Sequence, residues 1–355
     1  MIQDKVIQPA KEFLKSMDKT VVVHGHDCDS ICSAAIMYKL IQKLSKTKVN
    51  NIVTELNYAI TENDLKKIKK ACPKHVIILD IAEIRVDLLT ELTKTSKVLI
   101  IDHHKPKGYV RVAYVNPMVY ESTYVPTAYI TYKIFETFYK PDEILWLACI
   151  GTLGDHGVES CPDVFERLKK VHPELLRSSK LTSEILFSSS ELGRLTKMVD
   201  AGRVVDIRNV DKVFKIISKA KSYREVKNNR LMKKLVQAVE NEFNKIKKDF
   251  EKNRKMFDNI VFYEINSKYN LKSSFAGYTA TLFDDKIICI IQKFGNYYEA
   301  SFRRGRNVSV DLSDLASRSV EGVAGANGGG HVAAAAARFP AKQLNSFIKN
   351  LKKKF

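Results

Sequence analysis

An Asp-His-His triplet at residues 102–104 follows directly on the apolar run of residues 98–101. Such a run is typical of a buried strand, and open α/β sheets collect their chemistry at the carboxyl ends of strands. Three further segments in the same half of the chain carry Asp behind an apolar run, namely residues 24–29, Asp80 and residues 151–157. Four converging strand ends made of Asp and His predict a metal site at one edge of a parallel sheet.

The residue types in these segments indicate which ion the site would hold. Carboxylate oxygens and imidazole nitrogens without a thiolate suit Mn²⁺ or Mg²⁺, whereas a structural zinc site normally includes Cys. A two-ion site of this kind generates a hydroxide nucleophile and holds a phosphoryl group during in-line displacement. Asp80 stands alone behind its strand and is the predicted bridge between the ions. For each acid taken singly the alternative is a helix N-cap, since Asp is common where a helix begins.

The apolar pattern alternates between strand and helix over the first 160 residues. The predicted strands are residues 20–23, 51–56, 76–79 and 98–101, and the predicted helices are residues 30–44, 62–70, 128–138 and 143–149. This alternation predicts an α/β fold with a parallel sheet between helices. Residues 160–256 are predicted to be mostly helical.

Beyond residue 258 the pattern changes to short β-rich segments, which predict a second, smaller domain of mixed α/β structure. The predicted strands are residues 260–264, 287–292 and 297–303. The alanine run of residues 333–337 is predicted to be a close-packed helix that follows a glycine loop.

The segment between the two regions is strongly basic. Residues 212–256 contain fifteen Lys or Arg and five Asp or Glu, so ten of the nineteen net positive charges lie there. An apolar stripe in steps of three and four predicts a long connecting helix, with members Met232, Val236, Val239, Phe243, Ile246 and Phe250. The stripe is expected to pack on the first domain, although the seam of a coiled-coil homodimer has the same spacing. The basic faces either line a substrate cleft or form a solvated surface, and the pattern favours neither.

The global composition constrains the partners. A net charge of +19 and a pI near 9.5 favour a polyanion such as nucleic acid. No apolar stretch approaches the ~20 residues of a spanning helix, and the charged residues 1–19 do not resemble a secretory signal, so we expect no membrane partner. Six scattered cysteines predict reduced thiols and a cytoplasmic location.

Taken together, the acidic segments resemble the motifs of the DHH phosphoesterases. The matching segments are Asp27-Cys28-Asp29-Ser30, the lone Asp80, Asp102-His103-His104 and Gly154-Asp155-His156-Gly157. Downstream, Gly328-Gly329-Gly330-His331 resembles the signature of the DHH-associated substrate domain, and Ser301-Phe302-Arg303-Arg304 resembles its arginine strand. The resemblance implies a DHH catalytic domain at residues 1–205, a basic helical connector at residues 206–256 and a DHH-associated domain at residues 257–355.

The resemblance also implies the ion ligands. One ion would be held by Asp27 and a nearby His, the other by Asp29, His103 and Asp155, with Asp80 bridging the two. His104 would face the scissile phosphate, and Asp102 would orient the histidine pair.

The chain departs from the family pattern at the first motif. RecJ-like members usually carry His or Asp two residues before the first motif Asp, and here that position is Gly25. His24 and His26 flank it, and either could supply the ligand. His24 is favoured because pyrophosphatase-like relatives also place this His at the strand end.

The second domain is expected to hold the substrate. Glycines let backbone N–H groups approach a phosphate closely, and arginines add bidentate contacts to its oxygens. The candidate substrate residues are Arg303, Arg304, Gly328, Gly329, Gly330 and His331. Arg304 alternates with Arg303 along its strand, so its side chain is expected to point to the other face.

The activity that the resemblance implies is hydrolysis of phosphodiester bonds with two Mn²⁺ or Mg²⁺ ions. The large positive charge favours a RecJ-like exonuclease that acts on single-stranded DNA or RNA, with DNA repair as its expected setting. The alternatives are a nanoRNase that acts on short oligonucleotides and a cyclic-dinucleotide phosphodiesterase. A pyrophosphatase is disfavoured by the Gly-Gly-Gly-His segment. Some relatives are inactive scaffolds in replication complexes, but all five motif acids are present here. A replication or repair protein as a partner stays open.

Overall fold

A computed structural model describes residues 2–45, 47–106, 112–120, 124–178 and 180–353 of the chain. The chain divides into two compact units, residues 1–236 and residues 237–355. The predicted division into three segments, with residues 206–256 as a separate connector, stays a prediction.

The first unit is built on a parallel sheet. Its strands are β1 (Thr20–His24), β2 (Val49–Val53), β3 (His75–Leu79), β4 (Lys97–Ile101) and β5 (Ala113–Val115). Its helices are α1 (Asp4–Leu14), α2 (Cys28–Leu44), α3 (Glu62–Lys70), α4 (Val86–Thr93), α5 (Thr127–Glu136), α6 (Leu145–Gly154), α7 (Pro162–Val171), α8 (Pro173–Leu176), α9 (Ser183–Ser189), α10 (Glu191–Val205), α11 (Val210–Lys219) and α12 (Tyr223–Asn228). The strand order is β2-β1-β3-β4-β5, and each neighbouring pair is parallel.

The central strands of this sheet are buried on both faces. Val76 and Ile78 of β3 belong to a core with α3 and α4, and the intervening Ile77 is fully buried as well. A sheet covered on both faces needs apolar residues at every position of its inner strands. Each inner strand therefore appears in the sequence as an unbroken apolar run, which is why the α/β prediction is confirmed.

The boundary between the units falls within α13 (Arg230–Asn253), a helix of 24 residues. Its apolar stripe is buried at Met232, Ile246 and Phe250, as the spacing predicts. In the second unit, Phe243 and Phe250 of this stripe meet the ring of Phe275 edge-on, with ring centres 5.3 and 5.4 Å apart. The basic segment before α13 forms the two shorter helices α11 and α12.

The second unit contains a mixed sheet of six strands. Its elements are β6 (Lys255–Phe257), β7 (Ile260–Ile265), α14 (Lys272–Ala280), β8 (Ile287–Phe294), β9 (Tyr297–Arg304), α15 (Leu312–Ser319), β10 (Asn327–His331), β11 (Ala334–Pro340) and α16 (Leu344–Leu351). The strand order is β10-β11-β9-β8-β7-β6, with only β7 and β8 parallel. The predicted smaller α/β domain is confirmed.

Two local predictions are wrong. The alanine run of residues 333–337 lies mostly in β11 and not in a helix, and the glycines before it form β10 and not a loop. Ala335 and Ala337 of β11 are buried in the core of the second unit, so burial does alternate along the run as in a strand. Alanine is not enriched in strands, however, so the sequence of the run does not indicate one. Residues 145–150 lie in α6, in agreement with the helix predicted over residues 143–149, so the apolar run before Asp155 is not a fourth strand end.

Among the described helices, none is both long enough and apolar enough to span a membrane.

Packing between helices in the first unit depends on Gly151, where α6 meets α2 and α5. A Cβ at this position would lie 2.5 Å from the Cβ of Ala128 and 2.9 Å from the Cβ of Cys32. We expect Gly151→Ala to lower the free energy of unfolding by about 1–3 kcal/mol, because overpacking forces the neighbours to shift. Urea unfolding monitored by circular dichroism measures the difference.

Gly277→Ala in α14 is the matched control, because no atom lies within 4 Å of the added methyl group. Ala favours the helix over Gly by roughly 0.5–1 kcal/mol, so this variant should be at least as stable as the wild type. A Gly151 variant as stable as the Gly277 variant would contradict the close approach of the helices.

Candidate metal centre

Three neighbouring strands of the first sheet end at one edge. β1 leads into the segment with Asp27 and Asp29, β3 into Asp80, and β4 into Asp102, His103 and His104. Because β1, β3 and β4 are adjacent and parallel, their carboxyl ends bring these side chains together. The fourth acid, Asp155, comes from the C-terminal end of α6, so it follows a helix and not a fourth strand end.

Five side chains of this edge place metal-binding atoms close together. They form two overlapping groups, Asp80 with His103 and His104, and Asp29 with His103 and Asp155. Within each group the donor atoms lie within 4.8 Å of one another. His103 joins the groups, with its Nε2 3.3 Å from Asp80 Oδ1 and 3.4 Å from Asp155 Oδ2.

Asp80 is held at the centre of this cluster by its backbone and by two hydroxyl groups. Its φ of +59° lies in the left-handed region, which non-glycine residues rarely adopt and which functional sites often contain. Ser30 Oγ donates to Asp80 Oδ2 over 2.5 Å, and Thr127 Oγ1 donates to Asp80 Oδ1 over 3.1 Å. The carboxylate is therefore fixed between α2, α5 and His103.

Asp29 is oriented by the N-terminus of α5. Its two carboxylate oxygens accept from the backbone N–H groups of Thr127 and Ala128 over 2.7 and 2.8 Å. A helix N-terminus carries a partial positive charge, which favours a carboxylate at this place.

Asp102 and His104 form a hydrogen-bonded pair. Nδ1 of His104 lies 2.7 Å from Asp102 Oδ1, and the backbone N–H of His104 donates to the other carboxylate oxygen. Burial lowers the pKa of His104, but the hydrogen bond and the charge of Asp102 outweigh burial, so the pKa is raised above its usual value. Asp102 therefore fixes the orientation of the His104 imidazole beside Asp80.

Asp27 lies beside the cluster but outside both donor groups. Its Oδ1 caps α2 by accepting from the N–H of Ser30, and its Oδ2 accepts from Asn57 Nδ2 over 2.8 Å. The backbone of Gly25 packs against Asn57 so closely that a Cβ at position 25 would lie 2.9 Å from Asn57 Oδ1 and 2.8 Å from Ser30 Oγ. Asn57 thus occupies the space that a side chain at position 25 would need.

Neither candidate histidine of the first motif joins the donor groups. His24 is fully buried against Phe214, and its Nδ1 contacts the carbonyl oxygen of Gly25 over 2.7 Å. His26 Nε2 lies 2.5 Å from the carbonyl oxygen of Thr54. The choice between them as a ligand stays a prediction, and the side chain that contacts Asp27 is Asn57.

The electrostatics of the cluster suit a divalent cation. Burial raises the pKa of Asp29 and of Asp80 well above its usual value, and the charges of the neighbouring acids add to the effect. Burial and the charge of Asp27 raise the pKa of Asp155 to about 7. No Lys or Arg of the described chain forms an ion pair with these three acids. Burial also lowers the pKa of His103 to about 4, so its imidazole is neutral and can bind a metal.

One cation near the cluster was not predicted from the sequence. Arg203 of α10 is fixed by Asp200, with Nε 2.5 Å and Nη2 2.9 Å from the two carboxylate oxygens. Burial raises the pKa of Asp27, but the charge of Arg203, together with hydrogen bonds from Ser30 and Asn57, lowers it to about 2. No motif spacing connects residue 203 with residue 27, so only the tertiary structure reveals this neighbour.

Two tyrosines flank the histidine pair. The ring of Tyr58 meets His104 edge-on at 5.4 Å between centres, and the ring of Tyr124 lies 5.2 Å from His103. Tyr124 also donates from its hydroxyl to the backbone oxygen of Asp155 over 2.7 Å. Both tyrosine side chains are partly exposed, and their rings lie at the edge of the cluster.

The predicted substrate residues of the second unit lie on two strands, β9 and β10, which β11 separates. In the register of the sheet, Arg303 pairs with Ala334 and Ala334 pairs with His331. Directly opposed residues of antiparallel strands share a face, so Arg303 and His331 stand on one face, about 10 Å apart, across the small side chain of Ala334. Arg304 alternates to the other face and donates to the carbonyl oxygen of Val310.

The Arg303 side chain is fixed by hydrogen bonds but forms no ion pair within the described residues. Its Nη2 donates to Ser273 Oγ over 2.9 Å and its Nη1 to the carbonyl oxygen of Phe302 over 2.8 Å. No acid of the described chain pairs with it, and burial lowers its pKa. Gly328, Gly329 and Gly330 lie in β10, which β11 separates from the strand of Arg303, and Gly330 has a φ of +149°.

Two family models match the chain. Residues 19–152 match the DHH family, N-terminal domain, and residues 260–355 match the DHHA1 domain. No curated protein sequence matches it.

Several solved structures share the fold at low sequence identity. RecJ from Thermus thermophilus in complex with Mn²⁺ has a TM-score of 0.73 and 14% identity, over 99% of this chain and 55% of that one. An exonuclease RecJ bound to manganese has a TM-score of 0.68 and 13% identity, over 98% and 93%. CDC45 from Entamoeba histolytica has a TM-score of 0.57 and 9% identity, over 98% and 97%. The chain thus spans about half of the T. thermophilus protein, and these identities show the fold alone.

Ion binding should stabilise the folded protein, because the clustered acids repel one another without a cation. Binding to the folded state alone adds about 2.7 kcal/mol at a hundredfold excess over Kd. We expect Mn²⁺ to raise the thermal unfolding midpoint of the wild type, and Asp155→Asn to lose most of this shift. Differential scanning fluorimetry with Mn²⁺ or with EDTA measures both.

The same variant tests the pH dependence. The pKa of Asp155 is higher in the folded than in the unfolded chain, so its ionisation destabilises the folded protein as pH rises from about 4 through about 7. In EDTA at about pH 8, Asp155→Asn should therefore be more stable than the wild type. Asp284→Asn, an exposed acid of the second unit, is the control and should change neither result. An undiminished Mn²⁺ shift in the Asp155 variant would refute the assignment.

Proposed function

The chain belongs to the DHH family and carries a DHHA1 domain, and from this premise we propose that it is a metal-dependent phosphodiesterase. More specifically, we propose that it is a RecJ-like exonuclease that acts on single-stranded DNA or RNA with two Mn²⁺ or Mg²⁺ ions. The observation that carries it is the largely buried cluster of Asp29, Asp80, His103 and Asp155, which gathers four ligands of the right chemistry without a protein cation to neutralise them.

The ligands divide between the two ions as follows. Asp29, His103 and Asp155 would hold one ion, Asp27 would hold the other, and Asp80 would be shared between them. Bound divalent ions lower the pKa of a coordinated water and neutralise charge on a phosphoryl oxygen. Asp80 is suited to the shared position because Ser30 and Thr127 fix both of its oxygens.

His104 supplies a proton-bearing group beside the scissile phosphate. Its raised pKa keeps a proton on the ring at a higher pH than a free histidine would, and Asp102 accepts from Nδ1. Nε2 can then donate to a phosphate oxygen as negative charge develops there, which is a form of electrostatic stabilisation.

Each unit by itself carries side chains that suit a polyanionic substrate. Arg203 offers a guanidinium that Asp200 orients, and its side chain is 38% exposed beside Asp27. In the second unit, Arg303 and His331 hold the end of the strand, with the N–H groups of β10 as further donors. The chain's charge of +19 exceeds what a dinucleotide requires and favours a longer strand.

The fold similarity to CDC45 raises the question of an inactive scaffold. A scaffold has no need of buried acids with raised pKa values, since each destabilises the fold. All five motif acids are present in this chain, three of them in the donor groups and the other two, Asp27 and Asp102, directly beside them. This arrangement supports an enzyme over a scaffold.

Asp80→Ala should abolish hydrolysis at every Mn²⁺ concentration, because the shared ligand is lost from both ions. We expect a loss of at least about 10⁴-fold in kcat, in the range seen for removal of central catalytic groups. The assay follows 5′-labelled and 3′-labelled DNA and RNA strands of two to about thirty nucleotides, resolved by length. Asp87→Ala, an exposed acid of α4, is the control. Normal turnover of Asp80→Ala would overturn the proposed mechanism.

The length dependence in the same assay tests the finer proposal. Progressive shortening of long strands supports the exonuclease, and cleavage confined to substrates of about two to five nucleotides would contradict it. No cleavage of any strand by protein with bound Mn²⁺ would overturn the phosphodiesterase itself.

His331→Ala should weaken substrate capture without disturbing the ions. We expect KM to rise by about tenfold, the equivalent of one lost hydrogen bond to a charged group, while the Mn²⁺ stabilisation stays as in the wild type. Val332→Ala removes an exposed neighbouring side chain and is the matched control. An unchanged KM in the His331 variant would exclude this residue from substrate binding.

A further inference from the structure

The outer edge of β2 carries unused backbone hydrogen-bonding groups. β2 is the terminal strand of its sheet and pairs only with β1. Lys48 and Thr54 form backbone bonds with β1, so the even-numbered residues of this strand face β1. The N–H and C=O groups of Val49, Asn51 and Val53 therefore point away from the sheet.

An open groove of about 830 Å³ runs along this edge. All five residues of β2 line it, together with residues of α3 on one side and residues of α11 on the other. We call this cavity the β2 groove. It lies on the far side of β1 from β3, so it is separate from the cluster of Asp80 and His103.

A side chain in the groove also has no partner. Asn51 lines the groove, and its Oδ1 and Nδ2 are both shielded from solvent without a hydrogen bond to the described chain. Such an unsatisfied amide destabilises the fold by about 1–3 kcal/mol.

The sides of the groove are basic. Lys67 and Lys70 stand on α3, and Lys215 and Lys219 stand on α11. Lys67 and Lys215 pair with acids of their own helices. Lys70 and Lys219 form no ion pair within the described residues, which leaves one unpaired cation on each side.

We propose that the β2 groove binds an extended acidic peptide segment of a partner protein, which adds to the sheet as a strand beside β2. A row of alternating N–H and C=O groups at strand spacing is complementary to another peptide backbone. Phosphates and sugars of nucleic acid cannot match it, because a phosphate offers acceptors only. The unpaired backbone groups of β2 therefore favour a peptide as the ligand, and the lysines favour a peptide with acidic side chains.

The dimensions fix the length of the segment. Five residues of β2 extend over about 16 Å and would pair with about five residues of the partner. Successive side chains of an added strand point to opposite faces of the sheet. Acidic residues on either face would then meet a lysine, on α3 at one side and on α11 at the other.

The probe is a fluorescent eight-residue peptide of alternating glutamate and valine, compared with its lysine–valine counterpart and with a single-stranded oligonucleotide of eight nucleotides. Fluorescence anisotropy should show that the acidic peptide binds and the basic one does not. Asn51→Pro should weaken binding at least about tenfold, because proline removes an outward N–H and blocks the edge while the bonds to β1 remain. Asn51→Ala keeps the N–H and should bind within about threefold of the wild type.

Charge is tested by a separate pair of variants. Lys70→Glu with Lys219→Glu should abolish binding, and Lys234→Glu with Lys248→Glu, which makes the same charge change on α13, should not. Amide exchange followed by NMR gives a direct readout. The amides of Val49, Asn51 and Val53 should gain protection when the peptide is added, while those of Asn50 and Ile52 are already protected.

Three outcomes would overturn the proposal. The first is no binding of the acidic peptide, in which case the lysines only protect an exposed edge against aggregation. The second is binding that Asn51→Pro leaves unchanged. The third is binding of the oligonucleotide that is lost in the Lys70 and Lys219 variant but kept in Asn51→Pro, which would make the groove a nucleic-acid site.

Discussion

The parallel register of β1, β3 and β4 is the constraint on which the centre depends. It places three strand ends side by side and brings together four buried acids, the buried His103 and the partly exposed His104. Like charges at such distances oppose folding, and burial strengthens the repulsion because the local dielectric constant is low. Oriented dipoles stabilise two of these acids, the N-terminus of α5 at Asp29 and two hydroxyl groups at Asp80, and no Lys or Arg of the described residues forms an ion pair with either.

Much of this could be predicted from the sequence because the inner strands are buried on both faces. Their unbroken apolar runs and the polar residues behind them indicate strand ends, and Asp29, Asp80 and His103 meet as the pattern predicts. Asp155 was identified by its motif, but the helix before it was partly taken for a strand, since a short apolar run does not distinguish the two. Arg203 could not be predicted at all, because its nearness to Asp27 arises from helix packing alone.

The second unit was harder to predict for a different physical reason. β10 and β11 consist largely of glycine and alanine, whose side chains are too small to show which face is buried, so the helix propensity of alanine dominated the pattern. The small residues have a role of their own. In the register Ala334 stands between Arg303 and His331, where a larger side chain would separate these two residues.

The contact between Gly25 and Asn57 constrains how this centre can change. A side chain at position 25 would overlap Asn57, and Asn57 in turn holds both Asp27 and the backbone of residue 26. A ligand cannot be introduced at position 25 by a single substitution, and loss of Asn57 alone removes a hydrogen bond without supplying a ligand. In a laboratory evolution experiment the two positions would behave as one epistatic unit, with each beneficial only after the other has changed.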